Sequence, residues 1–134
     1  PKKWDVSVAE SLFGDQWSDC AGRLSGSVGM LPSGWLGAPD TETGIHKAMY
    51  ERVHGCAPGI AGQGSANPLA QFMSFAMMLR YSFNQGDEAD LLENAVATAL
   101  KTTRTGDIMT PGCTQTGTDG MTEAVLNAMD QLAR

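Results

Sequence analysis

The sequence predicts an α/β domain in which helices cover a small mixed sheet, and it predicts a single domain across residues 1–134. Strand-like and turn-rich segments occupy most of the first half of the chain, and three helix patterns follow in the second half. No internal repeat or low-complexity segment interrupts this order. With 42% hydrophobic residues, a chain of 134 residues can bury a modest core.

The first half combines extended segments with one short helix. Apolar and polar residues alternate from Trp4 to Val8, which predicts a strand, and Phe13 to Leu24 has the pattern of a helix. Between Ser27 and Leu36 the apolar residues are broken by Gly and Pro, which predicts one or two short strands. The polar segment Gly37 to Gly44 predicts a mobile loop, and Ala48 to Val53 predicts a further strand.

Three helices are predicted after residue 67. Pro68 suits the first turn of a helix that runs to about Phe83 and is apolar nearly all round, which predicts that this helix is buried. Glu88 to Thr102 and Met121 to Leu132 each carry one apolar stripe and predict amphipathic helices. Uncovered apolar faces on such a chain would favour self-association, most simply as a homodimer.

Composition excludes several classes of partner. A formal charge of −6 and a pI near 4.7 argue against binding to a phosphate backbone, so nucleic acid is not an expected partner. No run of eighteen or more apolar residues is present, so membrane insertion is not expected. Cys20, Cys56 and Cys113 fit neither a disulfide framework nor a zinc site. Together with the lack of a secretory-type leader pattern, this predicts a cytoplasmic protein.

The segment His54 to Pro68, HGCAPGIAGQGSANP, is called the glycine loop below. It holds four glycines and two prolines in fifteen residues, which is more turn chemistry than a simple connection needs. Glycine lets the backbone approach a ligand closely, and the side chains of His54 and Asn67 can hydrogen-bond a flat polar group such as a purine. An elaborate structural loop is the alternative that composition leaves open.

Asp15 and Asp19 form a second candidate site. In a helix from Phe13 to Leu24, their i, i+4 spacing puts both carboxylates on one face, where they repel unless a cation lies between them. Mg²⁺ takes one or two carboxylates together with substrate oxygens and water, so this pair could begin a Mg²⁺ or Mn²⁺ site. The alternative is a solvated acidic helix face.

Four motifs in order resemble a known family. The chain reads ESLFGDQWSD at Glu10 to Asp19 and GSVGMLPSGWLG at Gly26 to Gly37, followed by the glycine loop and by MMLRYS at Met77 to Ser82. These resemble the C-terminal part of the β-decarboxylating dehydrogenases, and the isopropylmalate dehydrogenases most closely. The resemblance runs nearly end to end and implies a truncated isopropylmalate-dehydrogenase-like fold. It also implies descent from enzymes that oxidise and decarboxylate a 2-hydroxy acid with NAD and a divalent metal.

The resemblance assigns roles to the candidate residues. It implies that Asp15 and Asp19 bind the metal, and that His54, Ala57 and Asn67 contact the cofactor. NAD-dependent members carry an aspartate, as the acceptor for the ribose hydroxyls, where this chain has Gly59. The substrate-binding arginines and the catalytic tyrosine and lysine belong to the family's N-terminal half, and this chain is expected to start after them.

Trp17 and Trp35 also depart from the family pattern. They stand where the family carries an aliphatic and a small residue, so bulk is added near the expected active site. Two interpretations stay open. The tryptophans either line a new apolar ligand pocket, or they cover core that the missing half would otherwise cover.

Three functions remain open from the sequence. The first is a truncated homologue that has lost redox chemistry and binds or rearranges a small organic molecule, as an isomerase, cyclase or lyase in a biosynthetic pathway. It requires no cofactor and keeps only relic Mg²⁺ or Mn²⁺ and NAD sites. Its catalytic candidates are His54, Asp15 and Asp19, with His46 and Glu51 as further acid–base groups.

The second function is a part of an NAD- and Mg-dependent 3-isopropylmalate dehydrogenase of leucine biosynthesis, which the retained Asp15, Asp19, His54 and Asn67 favour. The third is a non-catalytic protein whose uncovered faces bind a partner. A small-molecule ligand is expected for the first two, and only assembly behaviour would separate the third from the first.

Overall fold

The structure is a computed structural model that describes residues 6–134. Its first half contains one helix and one β-hairpin, and its second half contains three helices and a short two-stranded ribbon. The elements are α1 (Ser11–Ser25), β1 (Pro32–Pro39), β2 (His46–Arg52), α2 (Leu69–Tyr81), α3 (Gly86–Ala99), β3 (Thr103–Thr105), β4 (Thr114–Thr116) and α4 (Thr118–Leu132). Three single 3₁₀ turns lie between them, at Val28–Met30, Pro58–Ile60 and Gly106–Ile108.

The strands of the described residues form two separate two-stranded sheets. β1 and β2 pair antiparallel, with Ser33 opposite Glu51 and Trp35 opposite Met49, and the register shifts between Leu36 and Pro39. β3 and β4 pair parallel over three residues each. The predicted α/β class, with helices and small sheets, is therefore confirmed, and its strands are divided between two ribbons.

The core lies between α2, α3 and α4. Small side chains on α3, including Ala89, Ala95 and Ala99, let the two neighbouring helices approach closely. This confirms the apolar stripes predicted for the last two helices. The residues of the buried cluster are Leu69, Ala76, Ala89, Leu92, Ala95, Val96, Ala99, Met121, Val125 and Ala128.

Helix α2 is less buried than its sequence predicts. Leu69, Ala70, Ser74 and Ala76 are buried, whereas Phe75 keeps 46% of its surface exposed. The prediction of burial nearly all round is wrong for the described residues, because α2 packs against α3 and the hairpin on only part of its circumference. Among residues 6–134, no helix combines the length and apolar content needed to cross a membrane.

Two segments of the first half differ from prediction. Trp4 and Asp5 of the predicted first strand lie outside the described residues, and Val6 to Val8 is irregular and exposed, since no described strand pairs with it. The predicted loop from Gly37 contributes its first residues to β1. The turn itself begins at Asp40, whose carboxylate accepts hydrogen bonds from the backbone N–H groups of Glu42 and Thr43 at 3.0 and 2.8 Å.

Buried Ser74 fixes the hairpin on α2. Its Oγ lies 2.7 Å from the carbonyl oxygen of Glu51 and 2.9 Å from that of Ala70, and it accepts a 3.4 Å hydrogen bond from the Ser33 N–H. One hydroxyl thus joins the helix to both strands. Because β2 ends at Arg52, this contact sets where the glycine loop leaves the hairpin.

Candidate functional site

Helix α1 carries a charged face that opens on a small cavity. Asp15, Asp19 and Arg23 follow one another at one-turn intervals. With His54 they line a volume of about 270 Å³, called the acidic cavity, and its other walls come from Val28, Val53 and Gly55. The structure therefore brings together Asp15, Asp19 and His54, which the sequence predicts as site residues.

Gly22 sets the position of α1. It is buried, and a Cβ at this residue would lie 2.7 Å from Leu31 Cδ1 and 3.1 Å from Val28 Cγ1. A larger residue would require the side chains of Leu31 and Val28 to shift, so glycine suits the close packing of the helix against the turn that follows it. That approach places the acidic face of α1 beside the start of the glycine loop.

The donor set of the acidic cavity fits a hard divalent cation held loosely. No cluster of three or more His, Cys, Asp or Glu side chains suited to a metal occurs within residues 6–134. Asp15 and Asp19 are exposed carboxylates, which suffice for Mg²⁺ or Mn²⁺ only when water or substrate oxygens complete the coordination. The guanidinium of Arg23 adds one positive charge to the same cavity.

The glycine loop frames a second cavity of about 350 Å³, called the loop cavity. It brings together the predicted cofactor residues His54, Ala57 and Asn67. The remaining wall residues are Ser27, Val28, Gly29, Gly55, Cys56, Ile60, Ser65, Ala66 and Asp107. His54 lines both cavities, so the acidic cavity and the loop cavity are neighbours.

The tautomer of His54 follows from its contact with the backbone. His54 Nδ1 lies 3.0 Å from the carbonyl oxygen of Gly55, and a carbonyl can only accept a hydrogen bond. Nδ1 therefore carries the proton, which leaves Nε2 of the neutral ring as an acceptor. An acceptor at the wall of a purine-sized cavity suits an exocyclic amino group.

The side chain of Asn67 ties three elements together. Its Oδ1 accepts a 3.0 Å hydrogen bond from the Leu69 N–H at the start of α2. Its Nδ2 donates to Asp107 Oδ2 at 3.0 Å and lies 3.5 Å from Met30 Sδ. Both hydrogens of the amide are therefore engaged, and a ligand could use only the remaining lone pair of its oxygen.

Asp107 is a residue of the loop cavity that the sequence does not predict. Burial raises the pKa of this carboxyl, but hydrogen bonds from Ser27, Thr105 and Asn67 outweigh that effect and hold the pKa below its usual value. The Thr105 hydroxyl contributes a 2.6 Å bond to Oδ1. The only signal in the sequence is an acidic residue in a short TRTGDI segment, forty residues from Asn67.

Gly59 is not required by the local backbone. Its φ lies outside the left-handed region, and a Cβ built on it would meet nothing within 4 Å. Its carbonyl accepts a 2.9 Å hydrogen bond from Gln63 Nε2, which any residue type could keep. A side chain at this position would point into open space next to the loop cavity, whose wall includes Ala57 and Ile60.

The other candidate residues lie apart. Trp35 and Glu51 share a cavity of about 450 Å³ with Asp15, on the side of the hairpin. Trp17 is 61% exposed and lies in neither the acidic cavity nor the loop cavity. His46 Nδ1 donates to the carbonyl oxygen of Gly37 at 2.6 Å within the hairpin. The structure thus does not join Trp17, Trp35 and His54 in one pocket.

Comparison with known proteins identifies close relatives. Residues 1–125 match the family model described as isocitrate/isopropylmalate dehydrogenase. The 3-isopropylmalate dehydrogenase of Rhizobium etli is 61% identical over 94% of this chain and 34% of its own length. That of Rhodospirillum rubrum is 60% identical over 99% of this chain and 36% of its own length. The chain thus spans about a third of the length of these relatives.

A solved structure agrees with these matches. The crystal structure of isocitrate dehydrogenase from Methylococcus capsulatus superposes with a TM-score of 0.72 at 35% sequence identity. The match covers 88% of this chain and 32% of that one. The arrangement of helices and small sheets is therefore that of a dehydrogenase segment.

The carboxylate of Asp107 gives the first testable prediction. A pKa held below its unfolded value stabilises the fold above about pH 4, and this stabilisation is lost as the pH falls through the folded-state pKa. Asp107→Asn should lower the free energy of unfolding by roughly 1 kcal/mol at pH 7, since Asp107 is partly solvated. It should also flatten the loss of stability as the pH falls below about 4.

Urea unfolding of both proteins across this pH range measures the effect. Asp130→Asn removes an exposed carboxylate from α4 and serves as the matched control. Equal unfolding curves for Asp107→Asn and Asp130→Asn would contradict a structural role for the Asp107 network.

Proposed function

The chain belongs to the isocitrate/isopropylmalate dehydrogenase family, and we propose that it forms the metal-binding and adenosine-binding part of an NAD-dependent 3-isopropylmalate dehydrogenase. The observation that carries the proposal is the shared wall at His54. It places the paired carboxylates of α1 next to the cavity framed by Ala57 and Asn67. The names and identities of the relatives support the same assignment.

In this proposal each cavity has a separate task. Asp15 and Asp19 hold a divalent cation, and Arg23 in the same cavity attracts an acidic substrate. His54 Nε2 accepts a hydrogen bond from the adenine amino group, while Ala57 and Ile60 supply apolar walls for the ring. A bound NAD⁺ would supply a hydride acceptor for a 2-hydroxy acid, and a cation held by Asp15 and Asp19 would supply positive charge next to the oxygens of that acid.

This proposal replaces the hypothesis of an isomerase, cyclase or lyase. The comparisons give that hypothesis no support, because the relatives at 60% and 61% identity are dehydrogenases by name. Within the proposal, His54 is a binding residue. Its Nδ1 proton is directed to the Gly55 carbonyl, and the lone pair on Nε2 accepts the hydrogen bond from the adenine amino group.

The cation site is tested by thermal unfolding. Mg²⁺ or Mn²⁺ should raise the melting temperature of the protein, because a ligand that binds only the folded state stabilises it. The double variant Asp15→Asn, Asp19→Asn should lose that shift. Asp87→Asn with Asp130→Asn removes the same two charges from exposed positions of α3 and α4 and should keep the shift. An unchanged shift in the first double variant would exclude this metal site.

The ribose contact is tested by restoring a carboxylate at position 59. Gly59→Asp fits the open space at this residue and should tighten NAD⁺ binding roughly ten-fold through charge-assisted bonds to the ribose hydroxyls. It should weaken NADP⁺ binding by repelling the 2′-phosphate. Calorimetric titration with both nucleotides measures this difference, and neutral Gly59→Asn is the control. If Asp and Asn change the two affinities equally, the ribose does not lie near residue 59.

We further propose that the protein is a homodimer that uses α1. Phe13 and Trp17 are 52% and 61% exposed one turn apart, on nearly the opposite side of α1 from Asp15 and Asp19. Large aromatic residues at such spacing favour a helix-to-helix contact between two copies.

Light scattering tests the dimer. The native chain should show twice its 14.2 kDa mass at micromolar concentration, and Phe13→Ser with Trp17→Ser should shift it to the monomer. Leu126→Ser changes an apolar residue of α4 that is 51% exposed and should leave the mass unchanged. A monomer in the native protein would refute the proposal.

A further inference from the structure

The middle of the glycine loop, residues 55–66, is exposed and lies between two cavities. On one side, residues of this segment line the loop cavity. On the other side, they line a cavity of about 500 Å³, whose wall also includes Arg52, Gln71, Thr118 and Asp119. Gly62 and Gly64 adopt positive φ angles of 76° and 60°, so the shape of this segment depends on residues with many accessible conformations.

Most hydrogen bonds of this segment are local. The N–H groups of Ile60, Ala61 and Gln63 donate to carbonyl oxygens three residues earlier, at 3.1 to 3.3 Å. The side chain of Gln63 reaches only the carbonyl of Gly59. Such bonds shape single turns, but they do not fix the segment relative to the core.

Thr118, the first residue of α4, supplies the long-range contacts. Its N–H donates to the Gly64 carbonyl at 2.7 Å, and its Oγ1 donates to the Ala66 carbonyl at 2.6 Å. Among the described residues, every other hydrogen bond of residues 55–66 stays within the glycine loop. By hydrogen bonding, Thr118 alone therefore joins residues 55–66 to the rest of the described domain, immediately before Asn67.

The support behind Thr118 is rigid. α4 is anchored in the core by Met121 and Val125, both fully buried. A Cβ on Gly117 would overlap the Gly64 carbonyl oxygen, so only glycine permits the approach that brings Thr118 within hydrogen-bond distance. The position of the loop thus follows from the packing of a helix more than fifty residues further along the chain.

We propose that Thr118 is a positioning residue that holds the glycine loop in its nucleotide-binding shape. Ordering a glycine-rich segment costs conformational free energy, and a contact that orders it beforehand removes that cost from binding. This inference rests on the proposed function for the identity of the ligand. The contact itself concerns the loop and can be measured without a ligand.

The test uses three variants of one helix. Thr118→Val keeps the shape and the backbone N–H but removes the hydroxyl, whereas Thr118→Ser keeps the hydroxyl. Thr122→Val is the matched control, because the Thr122 hydroxyl bonds only to the Thr118 carbonyl inside α4, at 2.9 Å. Amide hydrogen exchange reports on residues 55–66, and calorimetric titration with NAD⁺ reports on the site.

Thr118→Val should accelerate exchange at the bonded amides of Ile60, Ala61 and Gln63 and weaken NAD⁺ binding roughly five-fold, the value of one ordinary hydrogen bond. Thr118→Ser should restore both, and Thr122→Val should change neither. Unchanged exchange in Thr118→Val overturns the proposal, as does faster exchange with unchanged NAD⁺ affinity. If the native protein binds no NAD⁺, the dehydrogenase assignment fails, and the exchange data alone decide whether Thr118 positions the loop.

Discussion

The hydrogen bonds of the Asn67 side chain are the constraint on which the candidate site depends. Asn67 lies where the glycine loop ends and α2 begins, and its amide joins Leu69, Asp107 and the Met30 sulfur. Leu69 is fully buried in the helical core, so the end of the loop takes its position from that core. The carboxylate of Asp107 is in turn held by Thr105, which is itself fully buried. A polar network of this kind specifies one arrangement because each unsatisfied member would cost free energy.

Separation along the chain decides which residues of the candidate site the sequence could predict. His54 and Asn67 stood out by the side chains they place in a glycine-rich loop, and the family resemblance added Ala57. The three lie within fourteen residues of one loop, and they line one cavity. Asp15 and Asp19 are one turn apart, and helical periodicity put them on one face. Asp107 and Thr118 reach the loop from forty and more than fifty residues away. No pattern within a short stretch of sequence predicts a contact between residues so far apart.

In the fold as well, features set by neighbouring residues were predicted, and features set by tertiary packing were not. The periodicity of apolar residues predicted α2, α3 and α4 within a few residues of their ends, because the stripes are long. β3 and β4 were missed because three residues are too few to show alternation. Burial was the least predictable property. Phe75 and Trp35 are large apolar residues of the kind that usually lie in a core. They are nevertheless 46% and 58% exposed, because exposure depends on what packs against a side chain.

The lack of a carboxylate at Gly59 is only a weak argument against the proposed dehydrogenase function. Losing one charge-assisted hydrogen bond costs roughly 1.5–3 kcal/mol, whereas a nucleotide bound at about micromolar affinity has about 8 kcal/mol of binding free energy. The dinucleotide would therefore bind more weakly and still bind. Because Gly59 has open space and a φ outside the left-handed region, a carboxylate at this position would change a ligand contact in the proposed site and would not be needed for the fold of the loop. A carboxylate at this position would also repel the 2′-phosphate of NADP⁺. Its absence would therefore lower both the affinity for NAD⁺ and the discrimination between NAD⁺ and NADP⁺. The hydrogen bonds of Asn67 and Thr118 do not involve Gly59, so the proposed site would keep its geometry while having one polar contact fewer.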